Sequence, residues 1–451
     1  MASGKSKQTR SATADGDATR TESPGAGTSR RRGQATWWRR LTGPDGPVAG
    51  ERSTLTYYAL LITTLALLTF GLIMVFSVQS VTTAAEGGNA FTSFSKYLVF
   101  AVAGILGMVG ISRLPLWGLK RFAWLVLLAA FALQLLVFVP GIGIDVYGNR
   151  NWIRLPAGLG TAQPSEFIKL GLCLYLGAMV SKRRDAFLGG VDTWRKFARF
   201  AGWILLPAGV GIGLVMAGGD LGTVIVLTLL VAGALWLGGL GWRWFASLGL
   251  LGLVAFAAAS MLSANRRARI LAWLHPDRYD PLDVGYQPLH GRYALGTGGW
   301  WGVGPGSSRQ KWGYLTQADS DYIFAVLGEE FGLVGALSVI ILFGVIAWCC
   351  IRIIRRCDSL YISVVTGGIM TWIVGQALIN MSVVVGLLPV LGVPLPLVSA
   401  GGSALVSVLL ALGVLLAFAR NEPGAPEALR SRTGAVRRTL AVIAPRRRKR
   451  V

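Results

Sequence analysis

The sequence predicts an all-α integral membrane protein of about ten transmembrane helices, with a large extracytoplasmic loop between the seventh and eighth. Of the 451 residues, 53% are hydrophobic and only 14% are charged, whereas a typical soluble domain has about 25% charged residues. The apolar residues gather into stretches of about 20, the helix length that crosses a bilayer core of about 30 Å. These stretches lack the alternation of apolar and polar residues that marks a transmembrane barrel. The spans are therefore helical, because a helix pairs its backbone groups within its own segment.

The predicted spans follow a long polar arm and precede a basic tail. They cover residues 55–78, 95–112, 121–139, 164–181, 200–217, 221–238, 244–262, 322–349, 359–385 and 396–419. Three segments result: a disordered basic cytoplasmic arm (1–54), a ten-helix membrane domain (55–420) that includes the large outer loop 263–320, and a basic cytoplasmic tail (421–451). The arm and the tail have few apolar residues to bury, so we expect no packed core in either.

The net charge of +23 is compatible with nucleic-acid binding, but its distribution favours a membrane topology instead. The basic residues concentrate in the two tails and in short loops that ten spans place on one face of the membrane. These residues include Arg30, Arg31, Arg32, Arg39, Arg40, Arg113, Lys120, Arg121, Lys182, Arg183, Arg184, Arg352, Arg355, Arg356, Arg446, Arg447, Arg448, Lys449 and Arg450. The positive-inside rule makes this face cytoplasmic and puts both termini inside the cell. We therefore predict a multi-pass plasma-membrane protein without a nucleic-acid partner.

Two of the few acidic residues near the spans have simple explanations at helix starts. Glu166 lies in the first turn of the fourth span, and Lys169 follows one turn later, close enough to neutralise it. Both should face the bundle interior, because a charge that faces lipid costs several kcal/mol. Asp220 directly precedes the sixth span and suits the N-cap position of a helix.

Asp321 begins the eighth span, where a capping carboxylate is again the simplest explanation. A second carboxylate, Asp319, lies two residues before it, and Glu329 and Glu330 follow two to three turns deeper in the same helix. Adjacent helix positions differ in direction by about 100°, so the two glutamates cannot both share the face of Asp321. At least one of them needs a partner elsewhere, and an Arg or Lys from another span is the natural candidate.

The face opposite the basic loops carries a loop at 140–163, the large loop 263–320 and a segment broken by Gly and Pro at 386–396. The large loop mixes carboxylates with basic residues. Its basic residues include Arg266, Arg267, Arg269, Arg278, Arg292, Arg309 and Lys311. Arginines bind phosphates bidentately, and a nearby carboxylate could accept a proton from a hydroxyl or hold a divalent cation on a pyrophosphate. These residues alone indicate a lipid-phosphate enzyme or a transporter of an anionic lipid.

Short motifs in collinear order across residues 55–420 resemble those of the SEDS family of cell-wall polymerases, which comprises FtsW, RodA and SpoVE. The motifs lie at 148–154, 163–169, 220–223, 321–330, 376–380, 386–396 and 399–403. The resemblance implies ten spans and a peptidoglycan glycosyltransferase. Such an enzyme polymerises lipid II, a disaccharide-pentapeptide on undecaprenyl pyrophosphate, into β-1,4 glycan strands with inversion. The resemblance also implies a class B penicillin-binding protein as the partner that crosslinks the product.

The resemblance puts the family's essential acidic residue on Asp321. It implies that Asp321 is the catalytic base and a candidate ligand for a divalent cation, Mg²⁺ or Mn²⁺, and it implies no organic cofactor. The family's His-Thr-Asp-Phe pattern is altered here, since Asp319 replaces His and Tyr322 replaces Phe. The first change adds a negative charge beside the base. In the family's Ser-Tyr-Gly-Gly-Ser pattern Ala400 replaces Tyr, so a hydroxyl is missing.

Other residues of the motifs and of the large loop are candidates for binding substrate and for supporting the cavity. The candidates for holding pyrophosphate are Arg154, Lys169, Arg269 and Lys311, and Trp152 is a candidate to pack on sugar or lipid. The candidates for orienting and supporting the cavity are Glu166, Asp220, Glu330, Ser399 and Ser403. All of them are expected to act on the extracytoplasmic side of the bacterial plasma membrane.

The long basic tails and the Ser-Ala-Gly-Gly variant resemble actinobacterial FtsW, so we expect septal cell-wall synthesis in cell division. The partners would then include other divisome membrane proteins, and cytoplasmic division proteins that meet the basic tails. Three alternatives stay open: a RodA-type polymerase of cell elongation, a lipid II flippase, and a noncatalytic divisome scaffold. A flippase would need a polar path across both leaflets, whereas the charges of this sequence cluster in the outer half.

Overall fold

The computed structural model describes residues 54–429 apart from 86, 147–148, 159, 184–193, 263 and 276–283. The predicted arm, except for Thr54, and the predicted tail from residue 430 onwards lie outside the described residues. The beginning of the predicted tail, residues 421–429, packs against the membrane domain. Glu422 is fully buried there, and its carboxylate lies 3.3 Å from the guanidinium of Arg356.

Helices make up most of the described chain. They are α1 (Leu55–Ala85), α2 (Ala90–Ser112), α3 (Leu116–Arg121), α4 (Ala123–Leu135), α5 (Ser165–Lys182), α6 (Trp194–Ala217), α7 (Leu221–Gly238), α8 (Trp242–Leu262), α9 (Ala264–Leu274), α10 (Tyr286–Gly298), α11 (Ile323–Arg356), α12 (Leu360–Val385) and α13 (Gly402–Arg420). Ten of them coincide with the ten predicted spans, which confirms the predicted fold class. Of the others, α3 joins α2 to α4, while α9 and α10 lie in the large loop.

Six helices are long and apolar enough to cross a membrane by length and composition, namely α1, α2, α7, α11, α12 and α13. The charged helix α5 is enclosed by α4, α7 and α12, and 14 of its 18 residues are buried. Small residues let these helices approach closely. At Gly171 of α5, a Cβ atom would lie 2.9 Å from the Cα atom of Leu127 in α4. The helix α5 is therefore an interior element of the bundle.

Three short strands form an antiparallel sheet in the segment predicted as the loop 140–163. They are β1 (Gly143–Val146), β2 (Asn149–Arg154) and β3 (Thr161–Ala162), with β2 in the middle. Two hydrogen bonds tie β2 to the turn before α7. The backbone amide of Arg150 and the side-chain amide of Asn151 donate to the carbonyl oxygen of Gly218, at 2.8 and 2.7 Å. Since β3 leads into α5, the sheet brings the start of α5 beside the start of α7.

The eighth span, α11, contains a break to which the large loop is fastened. Gly332 within this 34-residue helix has φ 65° and ψ −164°. The amide of Leu333 donates to the carbonyl oxygen of Gly299 in the loop at 2.9 Å. A Cβ atom on Gly332 would collide with the amide nitrogen of Gly302. Glycine is therefore required at this position both by its left-handed backbone and by the close approach of the loop.

The tenth predicted span, 396–419, is wrong at its start, because α13 begins later in the chain. Leu397 has φ 66°, which lies outside the helical region. The Ser399 hydroxyl accepts a hydrogen bond from the amide of Leu395 at 2.7 Å and so holds the backbone in a turn. Residues 386–401 form a broken segment that is non-helical throughout.

Replacing Gly332 by alanine is expected to lower the free energy of unfolding by about 2 kcal/mol or more, because the Cβ atom strains the backbone and collides with the loop. The measurement is thermal unfolding of the purified protein in detergent. Gly344→Ala on the same helix is the matched control, since a Cβ atom there meets nothing within 4 Å. Equal melting temperatures for the two variants would contradict the attachment of the loop at the break.

Candidate active site

Asp321 lies in the turn that precedes α11, against α12 and the broken segment. Three successive carbonyl oxygens of this turn accept hydrogen bonds. The bonds join Asp319 to the backbone amide of Ala400 (2.7 Å), Ser320 to the hydroxyl of Ser399 (2.6 Å) and Asp321 to the side-chain amide of Asn380 (2.8 Å). The backbone that carries the Asp321 carboxylate is therefore anchored at three consecutive positions.

The Asp321 side chain is partly buried, and its surroundings stabilise the protonated carboxyl more than water does around an exposed aspartate. The pKa of Asp321 is raised to about 6. Burial is the largest cause, the Arg269 guanidinium opposes the shift, and the negative charges of Asp220 and Asp319 add to it. Burial also raises the pKa of the Asp319 carboxyl, and a hydrogen bond with Gln79 of α1 opposes that shift. A carboxyl with a pKa near 6 is mostly ionised at neutral pH and still basic enough to take up a proton, which suits a general base.

Arginines from the two helices of the large loop face this turn. Arg269 of α9 and Arg292 of α10 both lie within electrostatic range of the Tyr322 side chain, next to Asp321. Arg266, one turn before Arg269, donates a hydrogen bond to the backbone of the turn before α7. The structure thus brings the predicted pyrophosphate candidate Arg269 to Asp321, together with Arg292, which the sequence did not single out for this role.

Asp220 and Ser403 join the starts of three helices. The Asp220 carboxylate accepts hydrogen bonds from the amide and the hydroxyl of Thr223, at 2.9 and 2.7 Å, which confirms the predicted N-cap of α7. It also accepts from the side-chain amide of Gln163 at 2.6 Å. The backbone amide of Gln163 donates to the hydroxyl of Ser403 at 2.9 Å. Asp220 and Ser403 thus connect α7 and α13 through Gln163, two positions before α5.

The predicted pair of Glu166 and Lys169 is formed and buried, with 2.7 Å between the ammonium nitrogen and the carboxylate. Lys169 also donates to the side-chain oxygen of Gln376 at 3.0 Å, and Glu166 accepts from the Ser407 hydroxyl at 3.2 Å. The side-chain amide of Gln376 donates onward to the carbonyl oxygen of Pro394 at 2.8 Å. The ammonium group of Lys169, a predicted pyrophosphate candidate, is therefore already bonded to Glu166 and Gln376, and Gln376 links it to the broken segment.

Both glutamates of α11 meet the large loop. Lys311 of the loop lies 2.9 Å from Glu330 and 2.9 Å from the Ser77 hydroxyl of α1, and the two charged side chains are buried. Glu329 accepts from the Ser308 hydroxyl and from a loop amide at 3.1 Å. The expected basic partner is present as Lys311, but it comes from the large loop and not from another span.

Trp152 and Arg154 lie on β2. Trp152 is half-buried opposite Ile144 of β1, and Arg154 is exposed. Within the described ranges, no hydrogen bond or ion pair joins either side chain to Asp321. Their roles in binding sugar, lipid or pyrophosphate stay predictions.

The described part of the chain contains no group of three or more His, Cys, Asp or Glu side chains that could hold a metal ion. The carboxyls of Asp220 and Asp319 act electrostatically on Asp321 without forming such a group with it. A cation at Asp321 would therefore share its coordination with oxygens of a bound substrate, which is how Mg²⁺ is usually held beside phosphates. The divalent cation stays a prediction.

Sequence reasoning missed several polar residues that shape the site. They are Ser77, Gln79, Gln163, Gln376, Asn380 and Ser407. The sequence indicated some of these residues. Gln163, Gln376 and Asn380 lie within the motifs, and Ser77 and Gln79 lie at the end of the first apolar stretch. Since polar groups are costly inside a bilayer, a polar residue at such a position indicates a partner.

Comparison with known proteins agrees with the motifs. The chain matches the model of the FtsW, RodA and SpoVE family, described as cell cycle protein, over residues 58–423. It is 37% identical over 361 residues to stage V sporulation protein E of Bacillus subtilis, which covers 80% of this chain and 96% of that protein. It is 36% identical over 395 residues to the probable peptidoglycan glycosyltransferase FtsW of Mycobacterium tuberculosis, which covers 87% of this chain and 73% of that protein.

Solved structures share the fold. A chain from work on the structural coordination of polymerization and crosslinking by a peptidoglycan synthase complex matches with a TM-score of 0.65 and 25% identity, covering 81% of this chain and 97% of that chain. The rod shape determining protein RodA of Thermus thermophilus matches with a TM-score of 0.58 and 23% identity over the same shares. The resemblance seen in the motifs is thereby confirmed, and the chain belongs to the FtsW, RodA and SpoVE family of cell cycle proteins.

Proposed function

We propose that this chain is a peptidoglycan glycosyltransferase that polymerises lipid II into glycan strands for septal cell-wall synthesis. Its family and its similarity to the probable peptidoglycan glycosyltransferase FtsW of Mycobacterium tuberculosis support the proposal. The observation that carries it is the Asp321 carboxyl, which is partly buried, has a pKa of about 6 and faces Arg269. A base and an anion-binding group side by side are what transfer of a sugar from a pyrophosphate needs.

In the proposed reaction, Asp321 accepts the proton of the 4-hydroxyl of the acceptor GlcNAc. The hydroxyl oxygen attacks C1 of the donor MurNAc at the growing end of the strand, and the bond from C1 to the pyrophosphate oxygen breaks. Undecaprenyl pyrophosphate leaves with the bonding electrons. Attack from the face opposite the leaving group turns the α-linkage into a β-1,4 bond, so one carboxylate acting as a base is sufficient.

Arginines of the large loop supply the positive charge for the pyrophosphate. Arg269 and Arg292 lie beside the turn of Asp321, and their guanidinium groups match phosphate oxygens in geometry. Lys169 and Lys311 are held in buried ion pairs, so we assign them to supporting the cavity, and Arg154 stays an outer candidate. A divalent cation, Mg²⁺ or Mn²⁺, held by Asp321 together with the pyrophosphate would neutralise further charge on the leaving group.

We assign the site to the extracytoplasmic face of the plasma membrane. The site and the basic loops lie at opposite ends of the same helices. The helix α11 follows Asp321 and ends at Arg355 and Arg356, and α5 starts beside Asp220 and ends at Lys182. Since basic residues mark the cytoplasmic face, both termini would then lie inside the cell.

The partner in this proposal is a class B penicillin-binding protein. The similar chain from a peptidoglycan synthase complex, in work on polymerization and crosslinking, supports such a partner. A transpeptidase on the same face of the membrane would receive the strand as it forms. Other divisome membrane proteins, and cytoplasmic division proteins that meet the basic tails, complete the proposed set.

Asp321→Asn is expected to reduce glycan synthesis by about 10²-fold or more, because an amide cannot accept the proton of the attacking hydroxyl. The measurement is strand formation from labelled lipid II by the purified chain with its class B partner and a divalent cation. Asp358→Asn removes an exposed carboxylate at the basic end of the bundle and should leave the rate unchanged. The complex with the partner should survive both changes.

Three other outcomes would indicate the alternatives. Equal polymer from Asp321→Asn and from the unchanged protein would contradict the proposed base, whereas no polymer from either protein would favour a noncatalytic scaffold. Lipid II movement across vesicles that is lost in the variant, without any polymer from either protein, would favour a flippase. A fluorescent fusion that follows the cylindrical cell wall and avoids the septum would favour a RodA-type role in elongation.

Asp319→Asn is expected to move the acidic limb of the pH–rate profile to lower pH. The negative charge of Asp319 raises the pKa of Asp321, so its removal lowers that pKa. Because the rate depends on ionised Asp321, activity should persist to a lower pH in the variant. The rate of strand formation across the acidic to neutral range measures this shift, with Asp358→Asn as the control. A limb that moves to higher pH would contradict the assignment.

Lys311→Met separates a structural role of this lysine from pyrophosphate binding. The single change leaves Glu330 charged and buried without its partner, which should destabilise the domain by about 3–5 kcal/mol. The double variant Lys311→Met with Glu330→Leu removes both charges and should recover most of the melting temperature and most of the polymerase rate. A double variant that melts normally and stays inactive would show that Lys311 acts on the substrate instead.

A further inference from the structure

An apolar groove runs beside α5 and opens where α3 joins α2 to α4. Its volume is about 450 Å³. The walls come from α2, α3, α4, α5, α13 and the connections between α2 and α4, and include Trp117, Phe122, Leu170 and Leu410. Every residue that lines the groove is apolar or aromatic. The groove therefore suits a hydrocarbon chain and offers nothing to a polar ligand.

Basic residues adjoin, in sequence, the residues that line one end of this groove, which we call its mouth. Arg113 precedes Leu114, Lys120 follows Leu119 and Arg121 precedes Phe122, and all three basic residues are exposed. None of the three has a carboxylate of a described residue within ion-pair distance. Arg420 at the end of α13 donates to the carbonyl oxygen of Ser112 at 2.9 Å and adds a fourth positive charge. Four cations gathered at one apolar groove make a favourable place for an anionic headgroup.

The depth of the mouth fits the headgroup region of a bilayer. The ammonium group of Lys120 lies 5.8 Å from the centre of the Tyr361 ring, and this ring packs against Gly177 of α5. Gly177 precedes the last residue of α5, Lys182, by five positions, which is about 7 Å along the helix. Lys120 thus lies slightly inside the basic end of the bundle, and the groove extends from there along α5 past Leu174 and Leu170.

We propose that this groove and the basic residues at its mouth form a binding site for one anionic phospholipid. An acyl chain would lie against α4, α5 and α13, and the phosphate would lie among Arg113, Lys120 and Arg121. The site is separate from the candidate active site, since Asp321 lies at the other end of the bundle. It does not depend on the proposed polymerase activity.

Photocrosslinking in nanodiscs tests this site. The probe is phosphatidylglycerol with a diazirine on one acyl chain, in a phosphatidylcholine bilayer, and mass spectrometry maps the crosslinks. We expect crosslinks at Leu114–Phe122 and on the α5 face, with competition by unlabelled phosphatidylglycerol and not by phosphatidylcholine. Because each basic residue contributes about five-fold to anionic lipid affinity, the variant Arg113→Gln/Lys120→Gln/Arg121→Gln should lose at least roughly ten-fold of the crosslinking yield.

Two matched controls accompany the charge variant. The variant Lys182→Gln/Arg183→Gln/Arg243→Gln removes the same charge from the same face away from the groove and should keep the yield. Gly118→Leu should block the groove, because a Cβ atom there meets only Pro115, at 3.6 Å, and leaves room for a side chain. Gly110→Leu, at a position with nothing within 4 Å, should not block it.

Three results would overturn the proposal. Equal crosslinking by a phosphatidylcholine probe at the same residues would mean ordinary lipid contact. Equal losses in the two charge variants would mean a general surface potential and no specific site. Loss of the crosslinks when the class B partner is added would mean that the groove belongs to a helix of the partner.

Discussion

The candidate active site depends on one constraint. The backbone amide and carbonyl groups of the non-helical broken segment must find hydrogen-bond partners inside a membrane bundle. An unpaired backbone group there costs several kcal/mol. Gln376 and Asn380, one turn apart on α12, donate to the carbonyl oxygens of Pro394 and Val393, each at 2.8 Å. Asn380 also donates to the carbonyl oxygen of Asp321. The side chains that satisfy the broken segment therefore also fix the turn that carries the base.

The low dielectric of the bundle interior also determines which basic side chains form structural ion pairs and which are available to bind an anionic substrate. A buried lysine needs a carboxylate beside it, and Lys169 and Lys311 each have one within 3 Å. Arg269 of α9 and Arg292 of α10 lie instead on helices of the large loop, where the first is half-buried and the second is exposed. In the proposed function, anion binding therefore falls to α9 and α10, while the lysines hold the helices and the loop together.

The sequence predicted the helices well and the loops poorly, for physical reasons. Each span carries its own signal in its length and composition, and the Glu166–Lys169 pair carries one in its spacing. The pair of Lys311 and Glu330 is 19 residues apart in sequence and depends on a break at Gly332, which no periodicity indicates. The strands of the 140–163 loop are too short to show an alternating pattern. Asp321 could be identified from its position in the sequence, whereas the proximity of Asn380 and Gln79 to its turn became visible only in the structure.

The contacts that place the base also place the arginines, and this has a consequence for the proposed reaction. Trp273 of α9 donates to the carbonyl oxygen of Gly386 at 3.0 Å, and α10 packs at Gly291 against the ring of Tyr322. Both loop helices are thus tied to the surroundings of Asp321, whose pKa Arg269 lowers. A pyrophosphate bound to Arg269 would offset that positive charge and raise the pKa of Asp321. The carboxylate would then be a stronger base when the donor is in place, and would release its proton more readily once the pyrophosphate has left.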